Sequence, residues 1–174
     1  LFNTVAVTAR ARQARGLAAA TGKVLWRKPV KDSFRGPPDA FLVDGRLWMG
    51  TLAATAIDPQ TGQPVKQVDI ANLFTPGHHV RCYRGRGTPH YLMWSKRGVE
   101  FVDLKGERHS RNDWVRGTCR YGLMPANGLI YMPPTPCFCF PGVKLNGFNA
   151  LAAGEPKSSK VEESKVRRLE RGPA

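Results

Sequence analysis

The stretch ATGKVLW, residues 20–26, places the turn dipeptide Thr21-Gly22 directly before an apolar run that ends in Trp26. Forty residues later the chain reads QTGQPVK, with Thr61 and Gly62 in the same slots. Self-similarity at a fixed interval of about 20 to 50 residues is the sequence signature of repeat architectures. The two copies therefore make a structural period the first hypothesis about the fold.

The period extends through two related turns. AIDPQTG ends a strand-like run with a turn from Asp58 to Gly62, and FVDLKGE repeats the theme from Asp103 to Gly106 with one residue fewer. An aspartate in this position accepts hydrogen bonds from backbone N–H groups two residues on, and a glycine adopts positive φ without steric cost. We therefore expect both segments to form the same kind of corner.

A fainter copy, FNALAAGE, closes at Gly154. The intervals between the four closing glycines are 40, 44 and 48 residues, measured from Gly22 through Gly62 and Gly106 to Gly154. Intervals of this length each leave room for a few short strands rather than for a complete domain. The sequence thus predicts a tandem array.

Each interval contains several strand-like runs separated by tight turns. AFLVDGRLWMG, residues 40–50, predicts two strands around Asp44-Gly45, a pair that favours a type I′ hairpin. ATAI and PVKQVDI add a third and a fourth strand, so about 40 residues hold the four antiparallel strands of one propeller blade.

The later repeats give the same count, and Asn127-Gly128 marks a further hairpin. The predicted strands are residues 80–83, 90–94, 99–102 and 112–115 in one set, and 121–124, 129–132, 137–140 and 147–152 in the next. The sequence therefore predicts an all-β chain, a partial β-propeller of about three to four four-stranded antiparallel blades over residues 1–155, with the first blade truncated. A β-sandwich with chance turn spacing is the alternative.

Composition agrees with many short strands and restricts the classes of partner. The 174 residues include 18 glycines and 14 prolines, which favour short segments over long helices. The formal charge is +14, but the basic residues are scattered from Arg10 to Arg171, which favours a solvated basic surface over a nucleic-acid site. No apolar run reaches the ~18 residues of a membrane span. Residues 156–174 have mixed charge and predict a charged linker or tail.

The turn motif resembles the quinoprotein-type β-propeller repeats, also called pyrroloquinoline-quinone-like (PQQ-like) repeats, whose pattern is Ala-x-Asp-x-x-Thr-Gly-x-x-x-Trp. The first copy keeps Thr21, Gly22 and Trp26 but has Ala18 at the Asp position; the second keeps Ala56, Asp58, Thr61 and Gly62 but has Lys66 at the Trp position. The resemblance implies that Trp26 docks between neighbouring blades. It also implies a looser or differently packed joint after the second copy.

A second resemblance covers residues 78–151, including NDWVRGTCRYGLMPANGLIYMPPTPCFCF and KLNGFNALA. These segments are similar to the PQQ-binding-like propellers of large planctomycete-type bacterial proteins. The resemblance implies a periplasmic or extracellular location. It further implies a ring of seven or eight blades, so that this chain is expected to be part of a longer protein whose remaining blades are its first partners.

Two functions are implied by the resemblance. One is a non-catalytic extracytoplasmic scaffold or binding module that contacts other proteins through loops and blade faces. The alternative is the propeller of a PQQ-dependent dehydrogenase, an oxidoreductase that binds PQQ and calcium in its central funnel. Such enzymes commonly carry adjacent cysteines, whereas this chain has Cys137-Phe138-Cys139, and its 13 acidic residues form no recognisable oxygen-rich calcium cluster. The sequence favours the scaffold and designates no catalytic or cofactor-binding residue.

Four cysteines leave three interpretations open. An even number suits disulfides outside the cytoplasm, and Cys82 with Cys119 is the preferred pair because adjoining blade segments can bring them within range. His79, Cys82, Cys137 and Cys139 are candidate ligands for zinc or copper, although their spacing matches no zinc signature. Unpaired packing thiols are the third interpretation.

The remaining aromatic and acidic residues have structural interpretations. Trp48, Trp94 and Trp114 lie on strand-like runs and predict contacts between sheets. The group around Asp103 and Asp113 suggests acid/base chemistry at first sight, but a turn cap and a solvated rim explain it with fewer assumptions.

Overall fold

The computed structural model describes residues 5–10, 12–31, 38–76, 79–80, 82–139, 142–143 and 145–154. In these ranges the regular structure consists of fourteen β-strands and no helix. The strands form four antiparallel sheets, and in each sheet strands that follow one another in the chain are hydrogen-bonded neighbours. None of the described residues belongs to a helix that could cross a membrane.

The sheets follow one another along the chain. Sheet 1 contains β1 (Val5–Arg10), β2 (Gln13–Ala18) and β3 (Val24–Pro29). Sheet 2 contains β4 (Ala40–Val43), β5 (Arg46–Met49), β6 (Thr55–Ile57) and β7 (Pro64–Gln67). Sheet 3 contains β8 (Arg86–Gly87), β9 (Tyr91–Trp94), β10 (Val99–Asp103) and β11 (Ser110–Asn112). Sheet 4 contains β12 (Met124–Ala126), β13 (Leu129–Met132) and β14 (Asn149–Ala152).

Several predicted strands are shifted, and one is wrong. The strands expected at 80–83, 112–115 and 121–124 are found at 86–87, 110–112 and 124–126. β11 stops early because the Asn112 side chain accepts hydrogen bonds from the backbone N–H groups of Trp114 and Val115. Residues 137–139 form no strand, since the prolines just before them lack the N–H donors that a ladder needs.

The opening segment contributes more structure than the sequence indicated. β1 and β2 pair over their full length, from Val5 opposite Ala18 to Arg10 opposite Gln13. The sequence alone does not predict these two strands, because the basic residues mask the alternation of buried and exposed positions. In β2 the buried residues are Ala14 and Gly16, whose small size carries little hydrophobic signal.

The recurring Asp/Thr-Gly corners share one geometry. Gly22 N–H donates to Ala18 O at 2.8 Å, and Gly62 N–H donates to Asp58 O at the same distance. Both glycines have positive φ, 71° and 69°. The Asp58 carboxylate also accepts from the N–H groups of Gln60 and Thr61, each at 2.8 Å. These backbone hydrogen bonds lower the pKa of Asp58.

The third corner is one residue tighter. Gly106, with φ of 91°, donates to Asp103 O at 3.0 Å, and the Asp103 carboxylate accepts from three backbone N–H groups, those of Lys105, Glu107 and Arg108. Gly154, the fourth glycine of the sequence series, is not among the described glycines with positive φ. The faint last copy therefore does not form this corner.

The two hairpins expected from dipeptide chemistry are confirmed. Asp44 and Gly45 have φ of 50° and 68°, and Asn127 and Gly128 have φ of 51° and 74°. Positive φ at both central residues is the requirement of a type I′ turn. These turns join β4 to β5 and β12 to β13.

Neighbouring residues of one strand are buried in different apolar cores. In β5, Leu47 packs in a cluster with Trp26 of sheet 1, whereas the next residue, Trp48, packs in a cluster with Leu92 of sheet 3. In sheet 3, Leu92 and Trp94 face sheet 2, and Met93 between them faces sheet 4. Successive side chains of a strand point to opposite faces, so sheets 2 and 3 are buried on both sides.

Three apolar cores thus separate four sheets, in the order 1, 2, 3, 4. A two-layer sandwich has one core between its layers, so the sandwich alternative is wrong. Antiparallel meanders that pack face to face in chain order are the blades of a propeller. The chain is an all-β, partial β-propeller with four sheets of three or four strands.

At each joint an aromatic ring lies against a glycine of the next sheet or of its leading segment. The first is Trp26, whose Nε1 donates to Pro59 O at 2.8 Å. A Cβ atom added to Gly62 would lie 2.7 Å from Trp26 Cγ, so only glycine leaves room for the ring. Trp26 therefore joins sheet 1 to the corner of sheet 2.

The joints further along use the same principle with other side chains. Phe41 of β4 lies against Gly87 of β8, where an added Cβ would be 2.8 Å from its ring, and it packs edge-on against Trp94 at 5.8 Å. Val68 lies six residues after Gly62 and contacts Gly106 of the next corner. It occupies the position there that Trp26 occupies at Gly62. The missing second tryptophan is therefore replaced by a different contact.

A buried ion pair adds a polar tether between sheets 2 and 3. Asp39, just before β4, is almost fully buried and accepts from Arg84 Nε at 2.6 Å and from Gly85 N at 3.0 Å. Both partners lie just before β8. The first strands of the two sheets are thereby held together where they begin.

We expect Gly62→Ala to lower the free energy of unfolding by about 3 kcal/mol, combining the cost of positive φ with displacement of the Trp26 ring. Gly45→Ala is the matched control because Gly45 has nearly the same φ and nothing within 4 Å of an added Cβ. It should cost about 1 kcal/mol. Urea unfolding of both variants checks this, and equal losses would contradict the docking role of Gly62.

We expect Arg84→Ala to cost about 1 to 2 kcal/mol, because it removes the counter-ion of a buried carboxylate while Arg84 itself is half exposed. Arg46→Ala breaks the exposed pair with Asp44 and should cost about 0.5 kcal/mol or less. Denaturant midpoints of the two variants provide the measurement. A loss as small as that of Arg46→Ala would show that the tether is not stabilising.

Candidate functional site

The candidate site lies at one end of sheets 3 and 4. In a meander, successive loops alternate between the two ends, so the segment leading into β8, the β9–β10 turn and the link from β11 to β12 share an end. Hydrogen bonds bring the segment after β13 to the same place. We call this surface the loop face; it comprises residues 82–85, 95–98, 113–123 and 133–139.

Three hydrogen bonds connect the segments of the loop face. Gly117 N donates to Tyr83 Oη at 3.0 Å, and Arg120 N donates to Cys82 O at 2.9 Å. Thr118 Oγ1 lies 2.7 Å from Pro133 O. The link between sheets 3 and 4 is therefore tied on one side to the segment leading into sheet 3 and on the other to the segment after β13.

Tyr83 and Glu100 form the buried polar base of the loop face. Burial raises the pKa of Tyr83 to about 12, and its ring occupies the space beside Gly122, where an added Cβ would be 2.9 Å away. Glu100 is fully buried and accepts from Lys96 N at 2.8 Å and Arg97 N at 2.9 Å, which closes the β9–β10 turn. Burial also raises the pKa of Glu100.

All four cysteines lie on the loop face, and all are in the reduced state. Cys119 is in hydrogen-bond contact with Cys137 and Cys82, and Cys137 is in contact with Cys139. Cys139 N–H donates to Cys137 Sγ at 3.4 Å. Three segments flanking the strands of sheets 3 and 4 thus bring together thiols that lie up to 57 positions apart in the sequence.

Arg116 lies beside these thiols and is buried, with 2% of its surface exposed. Its Nη2 donates to Cys137 O at 3.2 Å and to Cys139 O. Its Nε and Nη1 have no hydrogen-bond partner in the described part of the chain. The sequence interpretation had no role for Arg116, because a single arginine in a basic chain carries no distinguishing signal.

A second feature is an open cleft of about 520 Å³ between the last strand of sheet 3 and the link after sheet 2. One wall is β11 with its flanking residues, and the other is the start of the link after β7. The lining residues are Asn72, Leu73, His109, Ser110, Arg111, Asn112, Asp113 and Trp114. Arg111 reaches from β11 to the link after β7, since its Nη1 lies 3.1 Å from Thr75 Oγ1, and its Nε pairs with Asp113 Oδ1 of its own segment at 3.2 Å.

Trp114 is where the aromatic prediction is wrong. Trp48 and Trp94 are buried between sheets, as expected, but 75% of Trp114 is exposed. The Asx turn at Asn112 ends the strand before Trp114, so its side chain is not directed into a core. The alternation of residues alone does not reveal this strand end.

Three of the four predicted metal ligands, the cysteines, lie on the loop face, but they do not form a metal-binding group. His79 Nδ1 lies 2.6 Å from Val80 O, and across the described ranges no three His, Cys, Asp or Glu side chains are placed to hold a metal ion together. Calcium prefers six or more oxygen ligands. The residues described here therefore do not fit a calcium-bound quinone. Cys82 and Cys119 are in contact but both are reduced, so the disulfide preferred from the sequence is one of two pairings open to Cys119.

Comparison with known proteins finds a structural similarity over part of the chain. No family model matches the chain, and no curated protein matches it. Among solved structures, the crystal structure of BamB from Moraxella catarrhalis is similar, with a TM-score of 0.43 and 15% sequence identity. The match covers 74% of this chain and 43% of BamB, so the chain spans less than half of that protein.

The buried Glu100 yields a prediction about pH. Because the pKa of Glu100 is raised in the folded state, the folded state binds more protons than the unfolded state above the unfolded value of 4.5. Its contribution to the free energy of unfolding therefore decreases as pH rises from that value. We expect Glu100→Gln to gain stability relative to the parent protein as pH increases from acid to neutral. Urea unfolding across this pH range tests it, and a constant difference would contradict it.

Proposed function

We propose that this chain is a non-catalytic binding module that holds an extended, acidic segment of a partner protein in the cleft beside β11. The observation that carries the proposal is the position of the cleft along the edge of a sheet. Its walls come from β11 and from the link after β7, and no β10 residue lines it. The cleft therefore lies on the outer side of β11.

The edge of β11 supplies backbone groups for binding. Within the described ranges β11 pairs with β10 and with no other strand. Such an edge presents unpaired N–H and C=O groups, and extended peptides bind by adding a strand there. His109 Nε2 is buried and has no hydrogen-bond partner among the described residues, so it offers a further polar contact in the cleft wall.

Charge and aromatic character define the chemistry of the partner. Arg111 and Arg97 both pair with the carboxylate of Asp113, which places two guanidinium groups beside the cleft. The whole chain carries +14. Trp114 stands exposed at the rim, and tryptophan and arginine are the residues that most often dominate binding energy at interfaces. An acidic segment with an apolar side chain fits these features.

The location belongs to the proposal as well. A periplasmic or extracellular location is supported by the resemblance of residues 78–151 to the PQQ-binding-like propellers of planctomycete-type bacterial proteins. The alternative function, a PQQ-dependent dehydrogenase, is supported by the resemblance of the Thr-Gly corners to PQQ-like repeats. The described part of the chain contains no group of side chains that fits the calcium ion of such an enzyme.

A labelled peptide of alternating glutamate and valine is a suitable probe, because it is acidic and extended and carries apolar side chains. We expect it to bind the full chain, and Trp114→Ala to weaken binding by about tenfold, as loss of an aromatic anchor typically does. Tyr121→Ala is the matched control, since Tyr121 is equally exposed at 76% but does not line the cleft. Fluorescence anisotropy provides the affinities.

Two further measurements separate the alternatives. Equal effects of both substitutions, or tighter binding of a single-stranded oligonucleotide than of the peptide, would contradict the proposal. Incubation of the chain with PQQ and calcium, followed by dye-coupled oxidation of alcohols and aldoses, should give no turnover. Turnover would establish the dehydrogenase instead.

A further inference from the structure

The buried guanidinium of Arg116 requires an anion. Arginine keeps its charge at all ordinary pH values, and an unpaired buried charge is strongly unfavourable. None of the ion pairs among the described residues involves Arg116. A group beside it that can become negative is the thiol of Cys137, whose own backbone carbonyl accepts from Arg116 Nη2 at 3.2 Å.

The surroundings of Cys137 favour its thiolate. The backbone N–H of Cys139 donates to its sulfur at 3.4 Å. This N–H and the neighbouring side chains of Cys119, Cys139 and Arg116 together lower the pKa of Cys137 to about 7. A thiolate beside a cation and N–H donors is the reactive form of cysteine. Cys137 is only partly buried, so small reagents reach it.

Cys119 has the opposite character. Burial and its contacts with Cys137 and Cys82 raise the pKa of Cys119 to about 11, so it remains a protonated thiol that donates to Cys137. A thiolate in contact with a second thiol is the arrangement from which a disulfide forms when the first sulfur is oxidised.

We propose that Cys137 is a redox-active thiolate held by Arg116, and that it forms a reversible disulfide with Cys119 on reaction with a small-molecule disulfide. This inference concerns a modification site and goes beyond the binding function. It is independent of the cleft, because the cleft lining includes none of the four cysteines.

The reaction balances in two exchange steps. The Cys137 thiolate attacks one sulfur of the small disulfide, forms a mixed disulfide and releases one thiolate. Cys119 then transfers its proton to that thiolate and attacks Cys137 Sγ, forming the intramolecular bond and releasing a second thiolate, which takes its proton from solvent. Two cysteine thiols are oxidised, and the small disulfide is reduced to two thiols.

A metal centre fits the cluster less well. No three of its thiols are placed to hold one ion together. A divalent cation would also lie near the buried charge of Arg116, and like charges at short range repel strongly in a poorly solvated site.

The bond would join two segments of the loop face. Cys119 belongs to the link between sheets 3 and 4, and Cys137 to the segment after β13. The reduced protein already ties these segments through Thr118 and Pro133. Oxidation would convert a hydrogen-bonded junction into a covalent one and change the accessibility of the exposed Phe138 next to it.

Alkylation of the reduced full chain with iodoacetamide near neutral pH, followed by mass spectrometry of peptides, tests the first part. At the pKa of about 7, half of Cys137 is thiolate, and we expect it to react about fivefold faster than an ordinary thiol after correction for its lower intrinsic nucleophilicity. Its rate should rise with a midpoint near that pKa. Arg116→Met should slow the reaction of Cys137 and shift that midpoint upward.

Oxidation with hydroxyethyl disulfide tests the second part. We expect a Cys119–Cys137 disulfide that dithiothreitol reverses, and its loss in Cys119→Ser, while the control Cys139→Ser still forms it. Equal alkylation of all four cysteines, or a Cys82–Cys119 or Cys137–Cys139 bond as the main product, would overturn the proposal. If Arg116→Met does not fold, the midpoint in the parent protein and the two serine variants still decide it.

Discussion

Contact between an aromatic ring and the bare backbone of a glycine is the constraint on which the arrangement of the sheets depends. Trp26 meets Gly62, Phe41 meets Gly87 and Tyr83 meets Gly122, so each of the three joints contains one such pair. An aromatic ring removes a large apolar surface from water, and a glycine lets it approach the main chain closely. The spacing of the sheets follows from these contacts.

The candidate surfaces are consequences of the same arrangement. Because each sheet is a meander, the links between sheets gather at one end, and the loops of different sheets meet there. The thiols and Arg116 are brought together by this convergence rather than by any local motif. The cleft beside β11 lies at the last strand of sheet 3, whereas Asp39 and Arg84 tie the first strands of sheets 2 and 3 together.

The fold was accessible from the sequence because its signals are local. Thr21-Gly22, the Asp58–Gly62 corner and the Asp44-Gly45 hairpin are specified by a few adjacent residues, and they determine strand number and direction. Strand boundaries were less accessible. The end of β11 depends on one Asn112 side chain, and the start of β8 depends on a tether to Asp39, which is 46 residues from Gly85.

The candidate sites were accessible only in part. The four cysteines stood out in the sequence, but their mutual contacts depend on three loops and could not be read from spacing. Arg116 and Trp114 gave no signal, since burial of the first and exposure of the second are both results of tertiary packing. Local sequence pattern does not predict the role of a residue when that role depends on neighbours that are distant in the chain.

The glycine contacts make the two sides of a joint unequally tolerant of sequence change. The position that accommodates the ring has to remain glycine wherever an added methyl group would overlap with the ring, as at Gly62. The side chain that packs against the glycine can vary more, because a tryptophan contacts the glycine of one corner and a valine, Val68, contacts that of the next. The repeats can therefore diverge in the side chain that packs against the glycine while the geometry of the array is retained.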